Sequence, residues 1–165
     1  MFTIKPMSPT ANNLNTFGPE LSLGERLHSL TGRPIVLVKY CWGGSSAQFN
    51  MPSGVAVDGE SNIIVADFGN HRIRKITPDG VVSTVAGSGT EGFRDGAGRS
   101  AQFNYPSGVA VDGEGNTIVA DSGNHRIRKI TPGGVVSTIG GDGTQGFRDG
   151  ASAWFNGPTG VAADG

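Results

Sequence analysis

Two segments of the chain carry the side chains best suited to chemistry, and their sequences are nearly the same. Residues 67–72 read Asp-Phe-Gly-Asn-His-Arg, and residues 121–126 read Asp-Ser-Gly-Asn-His-Arg. Asp, Asn and His so close together could form a ligand or metal site, with His71 and His125 as the nitrogen donors. The same residue types are typical of turns, because Asp and Asn bond to nearby backbone groups and Gly tolerates positive φ. A catalytic site needs different residues that converge on one point, so the repetition favours turns, and we expect no metal and no cofactor.

Two long loops carry the next candidates. Each loop has 18 residues, at 87–104 and 140–157, and loops of this length are usually functional or packed on themselves. Adjacent charges of opposite sign in each loop can form a local ion pair, which contributes about 0–1 kcal/mol when exposed. The loops are still the expected ligand-binding surface, since a rigid scaffold would present them in a row. The charged residues are Arg94 and Asp95, which recur as Arg148 and Asp149.

A run of basic residues is the third candidate. Such a stripe could bind phosphate or an acidic partner. However, residues 46–165 carry 9 basic and 12 acidic side chains, and no ladder of aromatic residues accompanies the stripe. We therefore expect solvated or salt-bridged strands, and we do not expect a nucleic-acid partner. The run consists of Arg72, Arg74 and Lys75, and it recurs as Arg126, Arg128 and Lys129.

All of these candidates belong to an internal repeat. A shift of 54 residues places 46–97 on 100–151 with 43 identities in 52 positions. A third copy begins 52 residues after the second and reaches Gly165. In each copy, four runs rich in β-branched residues alternate with Gly-rich turns, which predicts four short strands. In the second copy these runs are 108–112, 117–121, 126–131 and 135–139.

The repeat predicts an all-β fold. Ile127 and Ile130 have opposite parity on one strand, so they point to opposite faces of the sheet and both faces must be covered. Sheets stacked radially cover both faces, as in a β-propeller. We therefore predict a partial β-propeller with one blade at 46–99, a second at 100–157, and the first strand of a third at 158–165. Phe93 and Phe103 are expected to anchor the first long loop against a blade, and Phe147 and Phe155 the second.

The recurring residues resemble the NHL repeat. In the second copy, Pro-Ser-Gly-Val-Ala-Val-Asp-Gly is followed by Ile-Val-Ala-Asp-Ser-Gly-Asn-His-Arg-Ile-Arg-Lys-Ile, and the resemblance covers residues 46–165. The resemblance implies a β-propeller, commonly six-bladed, that binds protein or RNA. Some relatives of similar architecture are enzymes that bind metal ions. Two blades and one strand do not close such a ring.

Residues 1–45 do not repeat and are predicted to form a separate helix–strand unit. Leucines at helical spacing predict a helix over residues 19–31, and an apolar run predicts a buried strand over 34–40. Residues 17–46 are similar to carbohydrate and sialate O-acetylesterases of the SGNH-hydrolase group. That similarity implies that Gly43 and Gly44 are vestiges of an oxyanion hole. The nucleophile and the Asp-x-x-His block of that family are not present, so we assign no catalytic residue.

The sequence favours a binding or scaffold module that holds a protein or small ligand on its propeller loops, without catalysis of its own. The alternative is a relative of the O-acetylesterases that retains only a fragment of the catalytic domain. No apolar run approaches the ~20 residues that span a bilayer, so we expect no membrane partner. The N-terminus shows no secretory signal, which makes the cytoplasm the default location. Because a blade buries its apolar residues only between neighbours, we also expect self-association through open blade faces.

Overall fold

The computed structural model of the chain describes residues 49–164. The predicted helix over 19–31, the strand over 34–40, Gly43 and Gly44 lie outside these residues and stay predictions. The resemblance to O-acetylesterases, over residues 17–46, also lies entirely outside the described range and stays a prediction. Within the described range, no helix is long and apolar enough to cross a membrane.

The described residues form an all-β structure, as predicted. The first blade contains β1 Pro52–Val57, β2 Ile63–Asp67, β3 Arg72–Ile76 and β4 Val82–Ala86. The second contains β5 Gly96–Ala97, β6 Pro106–Val111, β7 Thr117–Asp121, β8 Arg126–Ile130 and β9 Val135–Gly140. Two 3₁₀ turns, Phe68–Asn70 and Ser122–Asn124, connect the second and third strands of their blades. The four strands predicted for each repeat are therefore confirmed, since each run of β-branched residues suits a pleated, half-buried surface.

Each blade is an antiparallel meander. The strand order is β1-β2-β3-β4 in the first sheet and β5-β9-β8-β7-β6 in the second. β5 lies in the loop between the blades and pairs antiparallel with β9, with Gly96 opposite Val136 and Ala97 opposite Val135. The loop thus adds a fifth strand to the outer edge of the second blade, a pairing that the repeat pattern did not predict.

The hydrophobic core lies between the two blades. Ile64 and Ile73 of the first blade and Val119 and Ile130 of the second belong to one buried cluster. Ala101 and Phe103, from the loop between the blades, belong to the same cluster. Equivalent isoleucines of the two blades differ in burial, because an isoleucine is buried only where its face of the blade is turned toward the other blade. Ile73 and Ile130 are buried, whereas their counterparts Ile127 and Ile76 are only partly buried.

β1 and β6, each at the inner edge of its sheet, are the innermost strands, and they approach each other closely. A Cβ atom at Gly54 would overlap the Ser107 carbonyl oxygen, and one at Gly108 would lie 2.6 Å from the Thr159 carbonyl oxygen. The Ser107 hydroxyl donates to the carbonyl oxygens of Pro158 and Thr159, both at 3.2 Å. Residues 158–164 thus follow the path of a third innermost strand. They form no ladder, because β1 and β6 each pair with the next strand of their own blade and no such strand follows within the described range.

The connections alternate between the two ends of each blade, as an antiparallel meander requires. The β2–β3 turn (68–71), the β7–β8 turn (122–125) and the long loops after β4 and β9 lie at one end. We call this the loop end. It carries His71 and His125, two of the six residues predicted to bind a ligand. The other four, Arg94, Asp95, Arg148 and Asp149, belong to the long loops, and Asp95 lies beside Thr138 on the outer edge of the second blade.

Candidate functional site

The two histidines join each blade to the segment that follows it. Nδ1 of His71 accepts a hydrogen bond from the Tyr105 backbone N–H at 3.2 Å. Nδ1 of His125 accepts the equivalent bond from Gly157 at 3.0 Å. Both histidines have a φ of 53°, a left-handed conformation that is uncommon outside glycine. The histidines therefore position the start of the next repeat.

The glycines of these turns do not supply the positive φ, contrary to the turn interpretation. Gly69 and Gly123 have ordinary φ values, and the histidines two residues later take the left-handed conformation. A Cβ atom at Gly69 would lie 2.7 Å from the side chain of Asn50. Gly69 also donates its backbone N–H to the Asn50 carbonyl oxygen at 2.8 Å. The turn needs glycine because the preceding segment passes so close to it.

The aspartates that open these turns form buried ion pairs. Asp121 Oδ2 lies 2.7 Å from Arg128 Nη1, and both side chains are fully buried. Asp67 pairs with Arg74 at 3.2 Å in the first blade. Burial raises the pKa of Asp121, while hydrogen bonds from Asn124 and the Asn104 backbone and the charge of Arg128 act in the opposite direction. These aspartates hold the third strand to the turn and are closed to solvent ligands.

Asp95 extends the pair in the second blade into a network. Its Oδ1 accepts bonds from Arg128 Nε at 3.0 Å and Nη2 at 2.6 Å. Its Oδ2 accepts bonds from the backbone N–H and the hydroxyl of Thr138, both at 3.1 Å. Asp95 therefore pairs with Arg128 of the blade and not with its neighbour Arg94. The side chain of Arg94 is exposed and has no ion pair in the described part of the chain.

The phenylalanines of the two loops behave differently. Phe103 is fully buried, and the Phe93 ring stacks on Arg126, whose Cζ lies 3.7 Å from the ring centroid. These two residues anchor the first loop, as predicted. Phe147, the counterpart of Phe93, is 86% exposed. Its predicted anchoring role is wrong here, because Phe93 packs on the blade that follows its loop and residues 49–164 place no blade after Phe147.

The basic run of each repeat is not a continuous exposed stripe. Arg74 and Arg128 are buried in the ion pairs described above. Arg126 donates to the carbonyl oxygens of Asn124 and Asp142 and lies against Phe93. Arg72 donates to the Ser88 carbonyl oxygen at 2.9 Å. The arginines thus serve mainly to fasten loops to blades, in agreement with the salt-bridged interpretation.

An aromatic group at the loop end was missed by the sequence analysis. The Tyr105 ring lies 4.8 Å, centroid to centroid, from both the Phe68 ring and the His71 ring. Tyr105 remains 39% exposed. Its position is Met51 in the first repeat and Gly157 in the third. The signal available in the sequence was this lack of identity within a repeat that is otherwise almost invariant.

Comparison with known proteins identifies the repeat. The sequence pattern of the NHL repeat matches residues 49–76, which cover β1 to β3, and residues 103–130, which cover β6 to β8. Each blade matches the NHL repeat. NHL repeat-containing protein 2 of Bos taurus is 41% identical over 98 residues, which cover 58% of this chain and 13% of that protein. The chain thus spans only a small part of this NHL relative.

Solved structures share the blade architecture. A protein of unknown function from Bacteroides thetaiotaomicron aligns with a TM-score of 0.65 and 30% identity, over 77% of this chain and 34% of that one. An auxiliary nutrient binding protein from the same organism aligns with a TM-score of 0.61 and 26% identity, over 66% of this chain and 31% of that one. These alignments and the two NHL matches agree with a partial propeller. Residues 49–164 contain no group of three or more His, Cys, Asp or Glu side chains placed to hold a metal ion.

Proposed function

We propose that the chain is a binding module that holds a protein or small-ligand partner at the loop end of its NHL blades, without catalysis of its own. The observation that carries the proposal is the aromatic group of Phe68, His71 and Tyr105, in which Tyr105 is exposed and the other two rings are half-buried. Aromatic rings supply a large contact area at a low cost in side-chain entropy. The group suits a partner that presents a planar or apolar side chain.

The pattern of repeat differences supports this use of the surface. Identical positions include the close-packed glycines Gly54 and Gly108, the turn histidines and the buried Asp–Arg pairs, all of which hold the fold together. Phe68 and Tyr105 are replaced by Ser122 and Gly157 at the equivalent positions, and the β2–β3 and β7–β8 turns keep the same conformation. The two aromatic residues therefore change the surface without a role in the shape of the blade. This difference supports contact with a partner as their role.

Two further features support a binding role. Arg94 is exposed in the long loop between the blades, and its guanidinium is available for an acidic group of the partner. One of the two similar structures from Bacteroides thetaiotaomicron is that of an auxiliary nutrient binding protein. Blades of similar structure thus occur in a protein described as ligand-binding. We propose His71, within the aromatic group, and Arg94, in the long loop, as contact residues.

A peptide-display selection on the full chain tests the proposal. Random peptides are selected on the wild type and then measured by calorimetry on wild type and on the double variant Phe68→Ser, Tyr105→Gly. This variant introduces only residues that the repeat already carries at the equivalent positions. Each aromatic contact contributes about 0.5–1.5 kcal/mol, so loss of both should weaken binding by about 5- to 150-fold. A panel of small planar ligands, measured on the same two proteins, covers the small-ligand form of the proposal.

The control is Val81→Ser, because Val81 is also exposed but lies in the β3–β4 turn at the opposite end. Its affinity for the selected peptides should equal that of the wild type. The proposal fails if neither the selection nor the panel yields a ligand, or if the ligands bind the double variant as tightly as the wild type.

A further inference from the structure

Asn156 and Gly157, at the end of the second long loop, form the sole Asn-Gly pair in the sequence. In such a pair the backbone nitrogen of the second residue can attack the side-chain carbonyl carbon of the asparagine. Glycine permits this attack best, because it has no Cβ to hinder the approach and the greatest backbone freedom. In the second repeat the equivalent residues are Asn104 and Tyr105. The third repeat thus differs from the second at a position where the difference changes the reactivity of the asparagine.

The attacking nitrogen of Gly157 is already bonded to a base. Its N–H donates to Nδ1 of His125 at 3.0 Å, so Nδ1 is the nitrogen of the imidazole that carries no proton. A general base acts from about 2.6–3.2 Å. The second blade holds His125 in place, because the His125 backbone N–H donates to the Ser122 carbonyl oxygen at 3.1 Å. The imidazole is therefore placed to take the amide proton as the nitrogen attacks.

The side-chain carbonyl of Asn156 is bonded to a donor. Nε2 of Gln145 donates to Oδ1 of Asn156 at 2.9 Å. The two residues are kept close by the loop itself, since the Gly146 N–H donates to the Phe155 carbonyl oxygen at 3.1 Å. A donor at this oxygen polarises the carbonyl and stabilises the negative charge that develops on it during attack. Nucleophile, base and carbonyl donor therefore converge on one side chain.

We propose that Asn156 is a self-modification site, at which the side-chain amide is lost with His125 as the general base. The Gly157 nitrogen forms a bond to Cγ of Asn156 while its proton passes to Nδ1 of His125. The bond between Cγ and Nδ2 then breaks, the imidazolium returns the proton to Nδ2, and ammonia leaves. Water opens the remaining succinimide ring to aspartate or isoaspartate at position 156. Gln145 stabilises the charge on Oδ1 while the nitrogen is bonded to Cγ.

The equivalent site in the second repeat has the base but not the other features. The Tyr105 N–H donates to Nδ1 of His71 at 3.2 Å, and the tyrosine side chain hinders attack by that nitrogen. The Asn104 side chain is packed against Gly123, where a Cβ atom would lie 2.6 Å from Asn104 Cγ. Oδ1 of Asn104 is buried and has no hydrogen-bond partner within residues 49–164. We therefore expect the modification at Asn156 and not at Asn104.

The modification changes the start of the third repeat. Both products carry a carboxylate where Asn156 is neutral, and isoaspartate also lengthens the backbone by one methylene group. The next residue but one, Pro158, accepts hydrogen bonds through its carbonyl oxygen from Ser122 at 2.6 Å and Ser107 at 3.2 Å. Loss of the amide should therefore alter how residues 158–164 lie beside β6.

Mass spectrometry on the full chain, incubated in water enriched in heavy oxygen, tests the proposal. Trypsin cleavage after Arg148 releases residues 149–165, in which Asn156 is the sole Asn or Gln. Uptake of heavy oxygen separates events of the incubation from those of the digestion in ordinary water. A synthetic peptide of residues 149–165 gives the rate without His125 and Gln145. The full chain should lose the amide about tenfold faster or more, since a positioned base contributes about 10²–10⁴-fold.

Replacement of the base is the decisive variant. His125→Asn removes the imidazole but retains a residue that tolerates the φ of 53° at this position, and its rate should fall to that of the peptide or below. The matched control is His71→Asn, which removes the equivalent imidazole beside Tyr105 and should leave the rate at Asn156 unchanged. Gly157→Tyr, which introduces the residue of the second repeat, should abolish the reaction.

A full chain no faster than the peptide would overturn the proposal, as would a His125→Asn variant as fast as the wild type. Slowing by His71→Asn as large as that by His125→Asn would also count against it. Circular dichroism shows whether each variant is folded. If His125→Asn does not fold, Gln145→Ala provides the second measurement, since Gln145 is exposed. This variant should slow the reaction by about fivefold or more, and an unchanged rate would contradict the proposed role of the carbonyl donor.

Discussion

Removal of the Asp95 carboxylate should destabilise the fold far more than removal of the same group at Asp149. Asp95 accepts two bonds from Arg128 and two from Thr138, whereas the Asp149 carboxylate accepts none within residues 49–164. Both residues stand between Arg and Gly in the same pentapeptide. The pair therefore compares a bonded with an unbonded carboxylate in one sequence context.

The expected loss of stability depends on how well Arg128 stays paired once the Asp95 carboxylate is removed. A hydrogen bond to a charged group contributes about 1.5–3 kcal/mol, and solvent screening reduces this because the Asp95 side chain is 40% exposed. Arg128 is fully buried but retains Asp121 and two carbonyl oxygens. We therefore expect Asp95→Ala to lower the free energy of unfolding by about 2–3 kcal/mol. At about 2–4 °C per kcal/mol, Tm falls by about 4–12 °C. Asp149→Ala should change stability by less than about 0.5 kcal/mol.

Urea unfolding at about 1 µM protein, followed by circular dichroism, measures both variants. A repeat at tenfold higher concentration separates intrinsic stability from any contribution of association, since a bound partner stabilises the folded state by mass action. Equal stabilities of Asp95→Ala and Asp149→Ala at the lower concentration would refute the claim that the Asp95 network fastens the loop to the blade.

Three further predictions concern the core, the inner strands and pH. Phe103→Ala should cost about 3–5 kcal/mol in urea unfolding, because the ring is fully buried between the blades; a loss below about 1 kcal/mol would contradict that placement. Gly54→Ala should cost about 2–4 kcal/mol because its Cβ would overlap Ser107, whereas Gly59→Ala, with nothing within 4 Å, should be nearly neutral; equal melting temperatures would contradict the close approach. Burial raises the pKa of Asp121 above 3.8, so the native state binds its proton more tightly than the unfolded state does. The stability of the wild type relative to Asp121→Asn should therefore fall as pH rises from about 3.8 through the raised pKa; acid titration by circular dichroism measures this, and a relative stability that rises over that range would be the opposite sign.

The site was only partly predictable from the sequence. The side chains of Asp67, His71 and Asp95 were singled out, yet the contacts they make were not. Asp95 stands beside Arg94 in the chain, but its carboxylate reaches Arg128, which is 33 residues away. The contact of Tyr105 with Phe68 was not predicted, because a single aromatic residue before a strand carries no periodic signal. Phe68 also lies 37 residues earlier in the chain.

The sequence by itself determined the repeat, the four strands of each blade and the all-β fold. These features depend on local patterns, since β-branched runs favour strands and Asp, Asn and Gly favour turns over a few residues. The sequence also predicted that each face of a blade must be covered by another element, because Ile127 and Ile130 point to opposite faces of the same strand. Only the tertiary structure decided which isoleucine of each repeat is buried, which loop aspartate is bonded and which phenylalanine is exposed. The two repeats are nearly identical in sequence, so these differences come from what packs against each blade, and a contact between residues far apart in the chain leaves no mark on the local pattern.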